Sequence, residues 1–189
     1  VQTCALPIFS VDGAVVTTGT AEGDGEILGK QRPLRPLKSV AIDFRVGDSG
    51  KVKRVIYFSI DATDGGLAKY PQFLSYLRSL GTTTTLVKSA SYLLHSNNFR
   101  QIRTTLLGVT GYLVQDDTGV PYRYIKQANW NVKLFGKYHT PIPPMQWGLQ
   151  TDLRQAFTDP EVAARRPLPF PFGYHWKGAE SGLILATRP

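Results

Sequence analysis

Two short stretches carry the side chains best suited to chemistry. The first, Lys88-Ser-Ala-Ser-Tyr-Leu-Leu-His95, brings an amine, hydroxyls, a phenol and an imidazole into one segment. The second, Gln115-Asp116-Asp117, sets two carboxylates side by side. A histidine beside a carboxylate can act as a general base, and adjacent acids can bind a cation or raise one another's pKa. The catalytic candidates are therefore His95, Asp116, Asp117 and Lys88, with Ser91, Tyr92, Gln115, Arg100 and Trp130 as candidate ligand contacts. Asp116-Asp117-Thr118-Gly119 is also a turn sequence whose Asp side chains bond nearby backbone, and the turn is the stronger of the two readings.

Other reaction classes find no support in spacing. There is no GxSxG elbow, P-loop, HExxH, GxGxxG after a strand, or SxxK; Thr85-Leu-Val-Lys88 is the nearest approach to the last. His95, His139 and His175 have no histidine or carboxylate partner at the short spacings that ligate a metal locally, so neither metal nor cofactor is expected. Aromatic residues crowd the C-terminal half: Tyr122, Tyr124, Trp130, Phe135, Tyr138, Trp147, Tyr174 and Trp176. Some must be core, but Trp and Tyr beside Asn129, Asn131 and Gln146 could form a stacking platform for a sugar or peptide.

Positioning these groups requires a sheet. Val40 to Val46 and Val52 to Ile60 flank Gly47-Asp48-Ser49-Gly50, a β-hairpin whose first arm alternates apolar Val40, Ile42 and Phe44 with Ala41, Asp43 and Arg45. Pro71 opens a helix with Phe73, Leu74, Leu77 and Leu80 at helical spacing, closed by Gly81. Thr82 to Val87 reads as a strand and Lys88 to His95 as a short helix. A second helix carries Phe99, Ile102 and Leu106, and GYLVQDD is a strand. The segment from Arg123 to Tyr138 splits into one or two strands; Gln150 to Phe157 is a short helix, and FGYHW and GLILATR are final strands. This order predicts an α/β (or α+β) single domain, a mixed β-sheet flanked by helices. The acidic corner and the His95 segment then both follow strands, where polar groups converge on ligands.

Composition agrees with one folded domain. The 189 residues are 42% hydrophobic, with a single cysteine, Cys4, which leaves no disulfide framework or thiolate zinc site. No apolar run has the length of a membrane span. The net charge of +8 is spread over Arg32, Arg35, Lys38, Lys51, Lys53, Arg54, Arg100, Arg103, Arg165 and Arg166 without a basic stripe or a reader motif, so nucleic acid is not the expected partner.

Two resemblances complete the reading. KSASYLLH, QDDTGVP, the later WNVKLFGKYHTPI and DLRQAF resemble a family of uncharacterised bacterial proteins, predicted to be exported, with KSASYLxH and QDDxGxP segments. The resemblance spans about Val40 to Phe157 and implies an exported or periplasmic location with a signal region upstream. The first eight residues, VQTCALPI, resemble the translation of a sequencing adapter and have no strand, helix or signal-peptide character. The expected organisation is thus an adapter-derived 1–8, a remnant strand and flexible connector over 9–37, and the domain over 38–189. The expected function is non-catalytic binding of a glycan, a peptide or an anionic envelope surface; a hydrolase using His95 with Asp116 or Asp117 is the alternative.

Overall fold

The computed structural model describes residues 4–10, 25–31, 38–46, 52–87, 90–162, 168, 170, 172 and 181–189. Among the described residues eight strands, β1 (Cys4–Ser10), β2 (Gly25–Gln31), β3 (Lys38–Val46), β4 (Val52–Ile60), β5 (Thr83–Val87), β6 (Thr110–Gln115), β7 (Asn131–Gly136) and β8 (Gly182–Thr187), form one sheet. Their order is β2-β3-β4-β1-β5-β6-β8-β7. β5 and β6 run parallel, while the other described pairs are antiparallel, so the sheet is mixed. The helices are α1 (Asp64–Leu67), α2 (Pro71–Ser79), α3 (Arg100–Val109), α4 (Tyr122–Gln127) and α5 (Thr151–Ala156), with 3₁₀ turns at Ala90–His95, Asn97–Phe99 and Pro143–Gly148.

One row of side chains across the sheet is buried in a continuous core: Ile56 and Phe58 of β4, Val87, Leu113, Ile184 and Leu134. Helical residues Phe73, Leu77, Ile102, Leu106, Ile125 and Leu153 complete that core. Phe58 meets Phe73 and Tyr76 of α2 edge to face, with ring centroids 5.1 and 5.7 Å apart. The opposite row is more open, with Tyr112 and Lys133 exposed and Thr84, Leu86, Val114 and Leu185 half-buried. One polar pair is matched inside the sheet: the Thr85 and Thr110 hydroxyls lie 2.7 Å apart in full burial. Loop connections are tied as firmly. Thr63 accepts from the Gly66 N–H to start α1, and the Asp64 carboxylate accepts from the Gln101 N–H in the first turn of α3.

The hairpin forms as expected, with Asp43 opposite Arg54 and Phe44 opposite Lys53. Its faces are assigned differently. Ala41, from the row that reads as polar, is buried on the helix side, because it lies opposite Ile56. The same row carries the Asp43–Arg54 pair, two bonds of 2.6 and 2.7 Å that hold the Asp43 carboxyl below its ordinary value.

Three other expectations are corrected. Cys4–Ser10, most of which reads as having no strand character, is a strand between β4 and β5, with Ile8 opposite both Ile56 and Thr85. Gly25–Gln31, read as connector, pairs with β3. Tyr122–Gln127, where the sequence reads as strand from Arg123 onward, is a helix: Tyr122 and Ile125 are buried at helical spacing, a pattern too short to separate from β alternation in sequence. The expected strand FGYHW and most of the adjoining proline-rich loop lie outside the described residues, as do 11–24 of the predicted connector.

Candidate functional site

The parallel pair places two loops side by side at its C-terminal edge, one beginning after Val87 and one after Gln115. The first winds into the 3₁₀ turn Ala90–His95, in place of the expected α-helix. A 3₁₀ turn eclipses residues three apart, and the rings of Tyr92 and His95 accordingly meet edge to face at 5.1 Å. Tyr92 has φ 52°, a left-handed backbone that a bulky side chain adopts only when its surroundings hold it there.

Those surroundings are specific. The Tyr92 hydroxyl donates to Asp117 Oδ2 at 2.5 Å, which joins the two predicted stretches directly. Gly148 lies flat against the Tyr92 ring, where an added Cβ would fall 2.5 Å from ring carbons. The Trp147 indole closes the edge, 5.9 Å from the Tyr92 ring and 6.3 Å from His95. Burial, then the bond to Asp117, push the Tyr92 phenol far above its ordinary pKa, so it is a fixed donor and not a base.

The acidic corner is built as a turn. Asp116 Oδ1 accepts from the Thr118 N–H at 2.9 Å and from the Thr118 hydroxyl. The buried Gln115 amide accepts from the Val120 N–H at 2.9 Å and donates to the Val120 carbonyl at 2.7 Å, closing the loop like one rung of a sheet. Gly119 lies against this amide too closely to carry a Cβ. Gln150 then ties the loop to its neighbours. It donates to the Asp117 carbonyl, accepts from the Tyr122 N–H, and its own N–H donates to the Tyr138 hydroxyl at 3.2 Å.

His95 has a different environment from the one a general base needs. Its Nε2 is buried without a hydrogen-bond partner, and it is the backbone of Asp117 and Gly119 that faces the ring. Burial lowers its pKa from 6.5 to about 4; those backbone groups oppose the shift, and Arg123 and Arg103 reinforce it. The imidazole is neutral at pH 7 and packs among rings, and Asp117 takes Tyr92 as its partner.

No family model, curated protein or solved structure matches this chain. The site therefore stands on its geometry.

The sequence candidates divide clearly. Tyr92, His95, Gln115, Asp116 and Asp117 come together. Arg100 is not among the hydrogen-bonded residues of these two loops: it is exposed at the start of α3, where it donates to the Asn97 carbonyl. Trp130 is 9% exposed beneath Arg188, whose guanidinium carbon is 5.7 Å from its ring, so among the described residues the open indole is Trp147, at 55% exposure. Thr85, the nearest approach to a nucleophile motif, is paired with Thr110 in the core. Lys88, Ser89, His175 and Trp176, and the side chain of Ser91, lie outside the described residues. Gly148 and Gln150 were not legible as site residues, because their partners lie far away along the chain. A glycine after a tryptophan and a polar residue before a helix are the only local signals they leave. No group of three or more His, Cys, Asp or Glu side chains able to hold a metal occurs among the described residues, and none of the described helices is long and apolar enough to cross a membrane.

Proposed function

We propose that this domain binds a saccharide ligand without catalysing a reaction, using the Trp147 indole as a stacking surface at the C-terminal edge of β5 and β6. The observation that carries this reading is the contrast between an indole open to solvent and its rigid backing by Tyr92 and His95. An exposed tryptophan held in one orientation offers apolar area at low entropic cost, and a sugar ring has an apolar face that fits it. A non-catalytic role suits the side chains. Asp116 is engaged in its turn, Asp117 holds the Tyr92 phenol, and His95 lacks a hydrogen-bonded carboxylate.

The test is a titration of the chain with a panel of oligosaccharides, neutral and charged, followed by tryptophan emission and by calorimetry. Binding that weakens about tenfold or more in Trp147→Ala, with unfolding unchanged, is the expected result. Absence of a saturable response, or an identical response in Trp147→Ala, refutes the reading.

A further inference from the structure

Next to the aromatic site lies a group of cations with no counter-charge among the described residues. Arg103 is 4% exposed, yet among the described residues its guanidinium meets dipoles and a ring: Nη1 donates to the Leu94 carbonyl at 2.6 Å and the Ser96 carbonyl at 2.8 Å, and Cζ lies 4.8 Å from the Tyr124 centroid. The Arg123 guanidinium occupies the same ring at 4.9 Å and donates to the Tyr124 hydroxyl at 3.3 Å. Arg100 is exposed and also acts electrostatically on Tyr124. Among the described residues none of these three arginines is in an ion pair, and the described ion pair, Asp43–Arg54, lies on the β3–β4 hairpin. A desolvated cation left with neutral partners is costly, and guanidinium groups gathered around one ring are suited to an oxyanion.

We propose that Arg100, Arg103 and Arg123 hold an oxyanion group of the ligand, so that the saccharide stacked on Trp147 is an acidic one. This rests on the saccharide reading for the identity of the ligand, but the oxyanion site itself rests on the arginines alone. His95 connects the two regions. It packs 6.3 Å from Trp147 and feels the charges of Arg123 and Arg103. The cluster also accounts for Tyr124, whose phenol is lowered first by the Arg123 bond and further by Arg103 and Arg100. Carbonyl anchoring fixes Arg103 before any ligand arrives, which leaves exposed Arg100 and Arg123 as the groups that close on it.

The experiment uses the full chain in two arms. In the first, arginine Nε–Hε resonances are followed while sodium phosphate, sulfate or acetate is added at constant ionic strength set with chloride. The expected result is a saturable shift at Arg103 and Arg123 that is lost in Arg100→Gln/Arg123→Gln, a variant that changes only exposed side chains. Linear, chloride-like shifts for all three anions, or saturation unaffected by the double variant, overturn the proposal. In the second, uronic-acid and sulfated oligosaccharides are compared with their neutral counterparts. Acidic ligands should bind at least about tenfold tighter, and the double variant should abolish that preference. Equal binding of neutral and acidic saccharides, sensitive to Trp147→Ala, overturns the acidic-ligand inference and leaves the stacking site intact. Saturable anion binding with no saccharide response overturns the saccharide reading and leaves the oxyanion site intact.

Discussion

Replacing Gly148 by alanine tests the packing on which the site depends. An ideal Cβ at this position lies 2.5 Å from Tyr92 Cγ and Cδ1 and 2.9 Å from Cδ2, whereas ordinary contact begins at 3.4 Å, so ring and backbone must part by about 1 Å. The ring has little freedom to yield. Its hydroxyl is held by Asp117, its edges meet His95 and Trp147, and its backbone is already left-handed. Overpacking of this kind costs about 1–3 kcal/mol, and loss of a hydrogen bond to a carboxylate adds about 1.5–3 kcal/mol if the ring swings away. A loss of about 1–3 kcal/mol in unfolding free energy is therefore expected for Gly148→Ala if the ring stays, and about 2.5–6 kcal/mol if its bond to Asp117 is lost. The same chemical change at Gly108 is the control. That residue lies near the end of α3 with nothing within 4 Å of an added Cβ, and Gly108→Ala should stabilise by about 0.5–1 kcal/mol. Denaturant unfolding of both variants gives the two signs directly. If Gly148→Ala unfolds at the wild-type midpoint, the Tyr92 packing is not what holds this loop.

Further outcomes follow from the same geometry. His95 stays neutral in the fold down to about pH 4 but takes a proton at about 6.5 in the unfolded chain. Its environment thus favours folding fully above the higher value, and that support is withdrawn as pH falls towards the lower one, by up to about 3 kcal/mol. His95→Gln should flatten the stability profile over that window, and unfolding at pH 7 and pH 5 measures it. Thr85→Val leaves the buried Thr110 hydroxyl without its partner and should cost about 1–3 kcal/mol, while the double change Thr85→Val/Thr110→Val recovers most of the loss; a double-mutant cycle reads the coupling. Gln115→Leu removes both bonds to the Val120 backbone and should cost about 2 kcal/mol or more, with faster amide exchange at Val120 as its local signature.

The legible parts of the fold were those specified by neighbours in sequence. The β3–β4 hairpin follows from alternation around turn residues, and α2 from Pro71 with Phe73 and Leu77, both fully buried. The convergence of Tyr92 with Asp117 was also foreseeable, because both stretches follow strands of a mixed sheet. What escaped depended on tertiary partners. Six residues at Tyr122–Gln127 take a helical form because Tyr122 and Ile125 must reach the core together. Cys4–Ser10 is a strand because β4 and β5 present edges to it. Trp147 could be named as aromatic from sequence, but its exposure and the burial of Trp130 are set by Gly148 against Tyr92 and by Arg188, contacts that no local pattern records.

The sheet order also dictates a sequence of assembly during synthesis. β8 separates β6 from β7, although β7 leaves the ribosome long before it. Until Gly182–Thr187 emerges, Asn131–Gly136 lacks the strand it pairs with among the described residues. The nascent chain must therefore carry an orphan strand until the residues between Gly136 and Gly182 have been made, an aggregation hazard of the kind that chaperones shield. The loops bearing Tyr92 and Asp117 face no such delay, since β5 and β6 pair directly.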